Sequence, residues 1–169
     1  AILEEAVNEV MGKPKKEEKT ETTIDLEINA FIPDTYIPTS NLRIEAYKQI
    51  AGIENISDRY GVEESFEDRY GEIPNETYNL LEIQMLRVNA QNAGIKEITH
   101  AEAGIIFKIA LLTKELVDKI ALLASKRKGK ILFGAGENPY ILLREKNLKG
   151  EALMESINNI LKCLQNEEE

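Results

Sequence analysis

Residues 95–110 read Ile95-Lys96-Glu97-Ile98-Thr99-His100-Ala101-Glu102-Ala103-Gly104-Ile105-Ile106-Phe107-Lys108-Ile109-Ala110, two aliphatic runs separated by small residues. The runs over 95–99 and 105–110 predict strands, and Ala103-Gly104 supplies the turn of a hairpin. Thr113 follows as an N-cap whose hydroxyl can accept a backbone N–H. Leu116, Val117, Ile120, Ala121 and Ala124 then fall on one helical face. After Gly129 the same order returns. Residues 131–135 and 140–144 flank Gly136-Glu137-Asn138-Pro139 as a second hairpin, and a helix bearing Leu153, Ile157, Ile160, Leu161 and Leu164 closes the unit. Two strand–strand–helix units place helices on one face of a mainly antiparallel sheet, so the predicted fold class is α+β.

Upstream, Ile24, Leu26, Ile28 and Ala30 alternate with Asp25, Glu27 and Asn29, the period of a strand with one buried face. Pro33 and Pro38 bracket an extended stretch carrying Tyr36 and Ile37. A helix is expected from near Ser40, with Leu42, Ala46, Tyr47 and Ile50 facing inward and Gly52 ending it. An acidic helical region over about 54–70 contains Asp-Arg-Tyr-Gly twice, at 58–61 and 68–71, each glycine placed to cap a helix C-terminus. Pro74 suits the first turn of the next helix, which runs to about Ala93. Tyr78, Leu81, Met85 and Val88 form its stripe, flanked by Leu80, Ile83 and Leu86, so it is expected to be the central, most buried helix. Residues 12–23 carry both charges and no apolar side chain except proline, the composition of a solvated linker. Before them Ile2, Leu3, Ala6, Val7, Val10 and Met11 recur at helical spacing. The chain opens on Ala1 without an initiating methionine. It therefore reads as a piece of a longer protein: 1–11 the tail helix of an upstream domain, 12–23 a linker, 24–169 the domain proper.

At 169 residues and 43% hydrophobic composition the chain has material for one core. A net charge of -9 argues against a surface uniformly attracted to phosphate. The single cysteine, Cys163, forms no internal disulfide and fits a reducing cytoplasm. The apolar runs fall far short of the ~20 residues that span a bilayer, so no membrane partner is expected.

Catalytic and cofactor signals are missing. There is no G-x-x-x-x-G-K-[ST] loop to grip a nucleotide, and Gly134-Ala135-Gly136 reads as a hairpin turn without the lysine and hydroxyl that phosphate binding needs. His100 is the sole histidine available as a base, and one histidine with one cysteine cannot assemble a zinc site. A carboxylate pair for hydrolysis is allowed by count, but Glu63, Glu64, Glu67 and Asp68 crowd one stretch in the manner of a solvated or partner-facing surface. No catalytic, cofactor or metal residue is assigned.

Binding has two candidate places. Residues 22–100 hold fourteen acids against six bases, whereas residues 101–169 hold ten against eleven. The densest acidic part, 63–72, combines carboxylates with Arg69, Phe66 and Tyr70, a makeup suited to a protein interface. The same residues also suit a core anchor under solvated charges. The opposite feature is Lys126-Arg127-Lys128-Gly129-Lys130, a basic tip that complements a helix dipole or contacts nucleic acid. No aromatic residue interleaves with it, so base stacking is not part of that contact.

The order of motifs carries a resemblance. Residues 24–33, then Tyr36-Ile37-Pro38, Arg43-Ile44-Glu45-Ala46-Tyr47-Lys48, Glu67-Asp68-Arg69-Tyr70-Gly71-Glu72-Ile73-Pro74, and Asn79-Leu80-Leu81 through Gly94-Ile95 resemble the C-terminal domain of the bacterial transcription-repair coupling factor, often called Mfd. The likeness runs to about Ile109. It implies a parent that is an ATP-dependent DNA translocase contacting RNA polymerase and DNA. Within that parent, the resemblance implies a C-terminal domain without its own chemistry or cofactor. That domain docks on a UvrB-like module of the same chain and masks the surface that recruits UvrA in transcription-coupled repair. By position Asp68 and Arg69 match the charged pair of the family signature and are implied to face the partner, with Glu64 and Glu67 beside them. The acid that often stands three residues before the aspartate is here Ser65. The alternative reading is a nucleic-acid-binding accessory module using Lys126, Arg127, Lys128 and Lys130.

Overall fold

The computed structural model describes residues 21–165. In chain order these form β1 (Thr23–Asp25), α1 (Ser40–Ala51), α2 (Ile56–Tyr70), α3 (Asn75–Asn92), β2 (Ile95–Ala101), β3 (Gly104–Ile109), α4 (Lys114–Lys126), β4 (Ile131–Gly134), β5 (Tyr140–Leu143) and α5 (Gly150–Gln165). The tail helix expected at 1–11 and residues 12–20 of the expected linker lie outside the described residues. Thr22, placed above at the end of that linker, is buried, and its hydroxyl donates to the Ile95 carbonyl at 2.8 Å. Thr23 already begins β1.

Both predicted hairpins form. β2 pairs antiparallel with β3, β4 with β5, and the β3–β5 pairing, with Phe107 opposite Ile141, fuses the two strand–strand–helix units into one sheet of order β1-β2-β3-β5-β4. Among the described residues only β1, on β2, pairs in parallel. Along β3 Ile105, Phe107 and Ile109 are buried while Lys108 is exposed, so the helices cover one side of the sheet. That side packs with Leu116, Ile120 and Leu123 of α4 and Leu153, Ile157 and Ile160 of α5 in one core. Each fully buried aliphatic side chain contributes roughly 1.5–3 kcal/mol. Thr113 caps α4 as expected, accepting the Leu116 N–H at 3.1 Å.

A second core of Ile32, Ile37, Ala46, Ile50, Ile53, Phe66 and Leu81 lies among α1, α2 and α3. Helix α3 supplies Leu81 to this core and Leu86 and Ala90 to the other. Of its residues only Asn75, Tyr78 and Asn92 are exposed, which makes it the central helix the sequence indicated.

Several local expectations change. The strand expected over 24–30 stops at Asp25, although Ile24, Leu26, Ile28 and Ala30 still alternate in burial with exposed neighbours. The Glu27 N–H reaches His100 Nδ1 at 3.3 Å instead of a ladder carbonyl, and the Ile28 N–H turns back to Leu26 at 2.9 Å. The Pro33–Pro38 stretch is a turn, not extended, because both Tyr36 and Ile37 donate to the Pro33 carbonyl. In α1 Ala46 and Ile50 face inward as expected, but Leu42 and Tyr47 are exposed. In α4 Leu123 takes the inward position expected for Ala121, which faces solvent. No helix among the described residues is long and apolar enough to cross a membrane.

Candidate docking face

Helix α2 is fixed at both ends, and its exposed face holds the charged residues singled out from the sequence. At the N-terminus Asn55 Oδ1 accepts the Asp58 N–H at 2.8 Å and Asp58 Oδ2 accepts the Glu54 N–H at 3.0 Å, a reciprocal cap that also sets a carboxylate against the positive end of the helix dipole. One residue on, Arg59 is 7% exposed. Its Nε donates to Glu63 at 2.8 Å, its Nη2 to Glu82 of α3 at 3.0 Å, and its guanidinium stacks 4.9 Å from the Tyr78 ring centre. Burial opposes this charge, but the hydrogen bonds to Glu63 and Glu82 outweigh it and hold the guanidinium above its ordinary pKa. Arg59 thus fastens α2 to α3.

The other end is anchored by aromatics. Phe66 is fully buried, and Tyr70 packs edge-on against it and against Tyr36, with ring centres 6.2 and 5.8 Å apart. The Tyr36 hydroxyl shares its proton between the carbonyls of Gly71 at 2.9 Å and Phe66 at 3.3 Å, and the Gly71 carbonyl is an acceptor that the helix end leaves open. Burial raises the Tyr36 pKa, and the nearby Glu67 and Tyr70 add to the rise, so the phenol keeps its proton. Gly71, at φ +90°, leaves the helix through a conformation that L side chains rarely adopt.

The two Asp-Arg-Tyr-Gly copies therefore have opposite fates. Gly71 is a C-cap, as expected; Gly61 is not, because it lies inside α2 with open space around it. Ten residues separate the copies, about 80° short of three full turns. Arg59 thus faces α3 while Arg69 points outward, its guanidinium 5.1 Å from the Tyr70 ring centre. Glu64, Glu67, Asp68 and Arg69 are all exposed, and none enters a salt bridge among the described residues. Carboxylates and a guanidinium on an anchored helix end, without a salt bridge among the described residues, have the chemistry to pair with an oppositely charged surface. Sequence reasoning named these four, but it missed Arg59. The one available signal was spacing: Arg59 stands seven residues before Phe66 and so shares its face.

The basic tip lies elsewhere, between α4 and β4. Lys126, Lys128 and Lys130 are exposed, Arg127 is half-buried, and Lys130 pairs with Glu145 at 3.0 Å. Gly134 pairs with Tyr140 in the β4–β5 hairpin, and a β-carbon there would overlap the Tyr140 ring, so the position requires glycine. His100 Nδ1 already accepts the Glu27 N–H, and Cys163 is half-buried beside the main core. No group of three or more His, Cys, Asp or Glu among the described residues is arranged to hold a metal.

The model of the TRCF domain matches residues 26–120. The transcription-repair-coupling factor of Staphylococcus aureus (strain USA300) is 27% identical over 167 residues, covering 97% of this chain and 14% of that protein. That of Bacillus subtilis (strain 168) is 32% identical over 97 residues, covering 57% of this chain and 8% of that protein. The chain thus spans a small fraction of the length of these curated relatives. The crystal structure of the C-terminal domain of transcription-repair coupling factor matches with a TM-score of 0.67 over 86% of this chain and 93% of that one, at 22% identity, a likeness of fold.

Proposed function

The chain belongs to the TRCF domain family, and from that premise we propose that it is a non-catalytic regulatory domain whose α2 face closes on a UvrB-like module of its parent and masks the surface that recruits UvrA. The observation that carries this reading is the set Glu64, Glu67, Asp68 and Arg69, exposed and without salt-bridge partners among the described residues, on a helix end held by Tyr36, Phe66 and Tyr70. A preorganised charged face loses little conformational freedom on docking, which favours specificity over tight affinity. Two domains of one polypeptide meet at high effective concentration, so a weak contact suffices to hold them closed and still opens readily. RNA polymerase and DNA enter this scheme through the parent, whose motor activity would drive the opening.

The test is the double substitution Asp68→Ala/Arg69→Ala in the full-length parent. A shift of about 1.4 kcal/mol in the closed–open balance changes the open population by up to tenfold, so UvrA binding should rise by up to about that factor while the melting temperature of the domain stays near wild type. Normal melting with unchanged UvrA affinity refutes the latch.

A further inference from the structure

The tertiary structure adds to the basic tip three cations that the sequence gives no reason to group with it. β4 and β5 pair with Ile131 opposite Leu143, so the residue before one strand neighbours the residue after the other. The Arg144 N–H donates to the Lys130 carbonyl at 2.7 Å, and the Lys130 N–H donates to Arg127 at 2.9 Å. Arg144 therefore sits beside the α4–β4 turn, and Lys146 and Lys149 follow it in the loop that crosses this end of the domain to α5, whose first residue, Gly150, lines a groove with Asn75 and Tyr78 of α3.

Local electrostatics explains only part of this array. Lys126 lies in the last turn of α4 and complements its dipole, and Lys130 is neutralised by Glu145, which also accepts from Ser156 at 3.4 Å. Lys128, Arg144, Lys146 and Lys149 are exposed and enter no salt bridge among the described residues. The flanking acids include Glu102, in the β2–β3 turn, Glu151, in the first turn of α5, and Glu82 and Glu155, which line the groove that Gly150 borders. None of the large hydrophobic residues exposed among the described residues lies in the α4–β4 turn or the β5–α5 loop, although Leu122 and Leu132 are exposed in the flanking α4 and β4, so the two segments themselves hold no apolar anchor of the kind a protein interface centres on. No aromatic residue occurs in either segment, which removes base stacking. What remains is an array of cations suited to a regularly spaced polyanion.

We propose that this end of the sheet is a sequence-independent contact for the phosphate backbone of duplex DNA, separate from the α2 face and independent of the latch. With about four phosphate contacts the affinity should fall with a log–log salt slope of roughly −3.6, or roughly 150-fold between 50 and 200 mM salt. The experiment follows fluorescence anisotropy of a labelled duplex of about 20 bp titrated with the 169-residue chain, beside the variant Lys128→Glu/Lys146→Glu/Lys149→Glu and the variant Asp68→Ala/Arg69→Ala. The expected result is binding in roughly the micromolar range at 50 mM salt with that slope, weakened at least about tenfold by the three charge reversals without a change in the circular-dichroism melt, and unaltered by the α2 substitutions. Absence of wild-type binding at low salt overturns the proposal, as does undiminished binding by the triple variant. Binding to polyglutamate in place of duplex overturns it too and makes the patch a contact for an acidic protein.

Discussion

Replacing Arg59 with alanine should destabilise the domain several times more than replacing Arg69, although both occupy the second position of the same tetrapeptide. Arg59 is 7% exposed and donates at 2.8 and 3.0 Å to Glu63 and Glu82, whose side chains are 23% and 26% exposed. A charged hydrogen bond contributes about 1.5–3 kcal/mol, and breaking a buried pair costs about 3–5 kcal/mol. Both carboxylates keep part of their surface in water, which brings the expected loss to about 2–3 kcal/mol. For a domain of this size that is a fall in Tm of roughly 5–10 °C. Arg69 is exposed and stacks on one ring, so its removal should cost about 0–1 kcal/mol. Urea unfolding followed by far-UV circular dichroism measures both, and Arg59→Lys should fall between them because a single ammonium cannot span both carboxylates as a guanidinium does. Equal midpoints for the two alanine variants would show that Arg59 is not the fastening between α2 and α3.

The glycines of the same repeat should respond in opposite directions. Gly61→Ala, in open space inside a helix, should stabilise by about 0.5–1 kcal/mol, whereas Gly71→Ala, at φ +90°, should destabilise by about 1–2 kcal/mol; a shared sign in thermal melts contradicts this placement. Tyr36→Phe removes the hydroxyl bonds to Gly71 and Phe66 and should cost about 1–2 kcal/mol. Burial, Glu67 and Tyr70 raise the Tyr36 pKa in the folded state, so its contribution is fully present below the unfolded value of about 10 and is lost as pH rises through the folded value. The wild type should therefore lose stability more steeply than Tyr36→Phe in alkaline titrations, and parallel profiles disprove the assignment. Equilibrium dialysis should detect no ATP binding by the chain, with or without DNA, since it has no phosphate-binding loop; saturable binding would overturn the non-catalytic reading.

The amino-acid order alone made legible the elements whose signals are short-range. Hairpins at 95–110 and 131–144, the Thr113 cap and the apolar face of α5 all follow from turn chemistry and periodicity, which operate over a few residues along the chain. The exposed acids and Arg69 of α2 were legible for the same reason, as a charged stretch ending at a glycine before a proline. Other features depend on which distant segment lies opposite. Ile24 to Ala30 carry a strand's alternation, but the length of β1 was set by how far β2 offers backbone partners before His100 takes the Glu27 N–H. Two identical Asp-Arg-Tyr-Gly words became a buried clamp and an exposed charge because the helix turns about 80° between them relative to α3. Lys130 and Arg144 became neighbours only through the β4–β5 pairing, a contact between residues fourteen apart in sequence that no local pattern encodes.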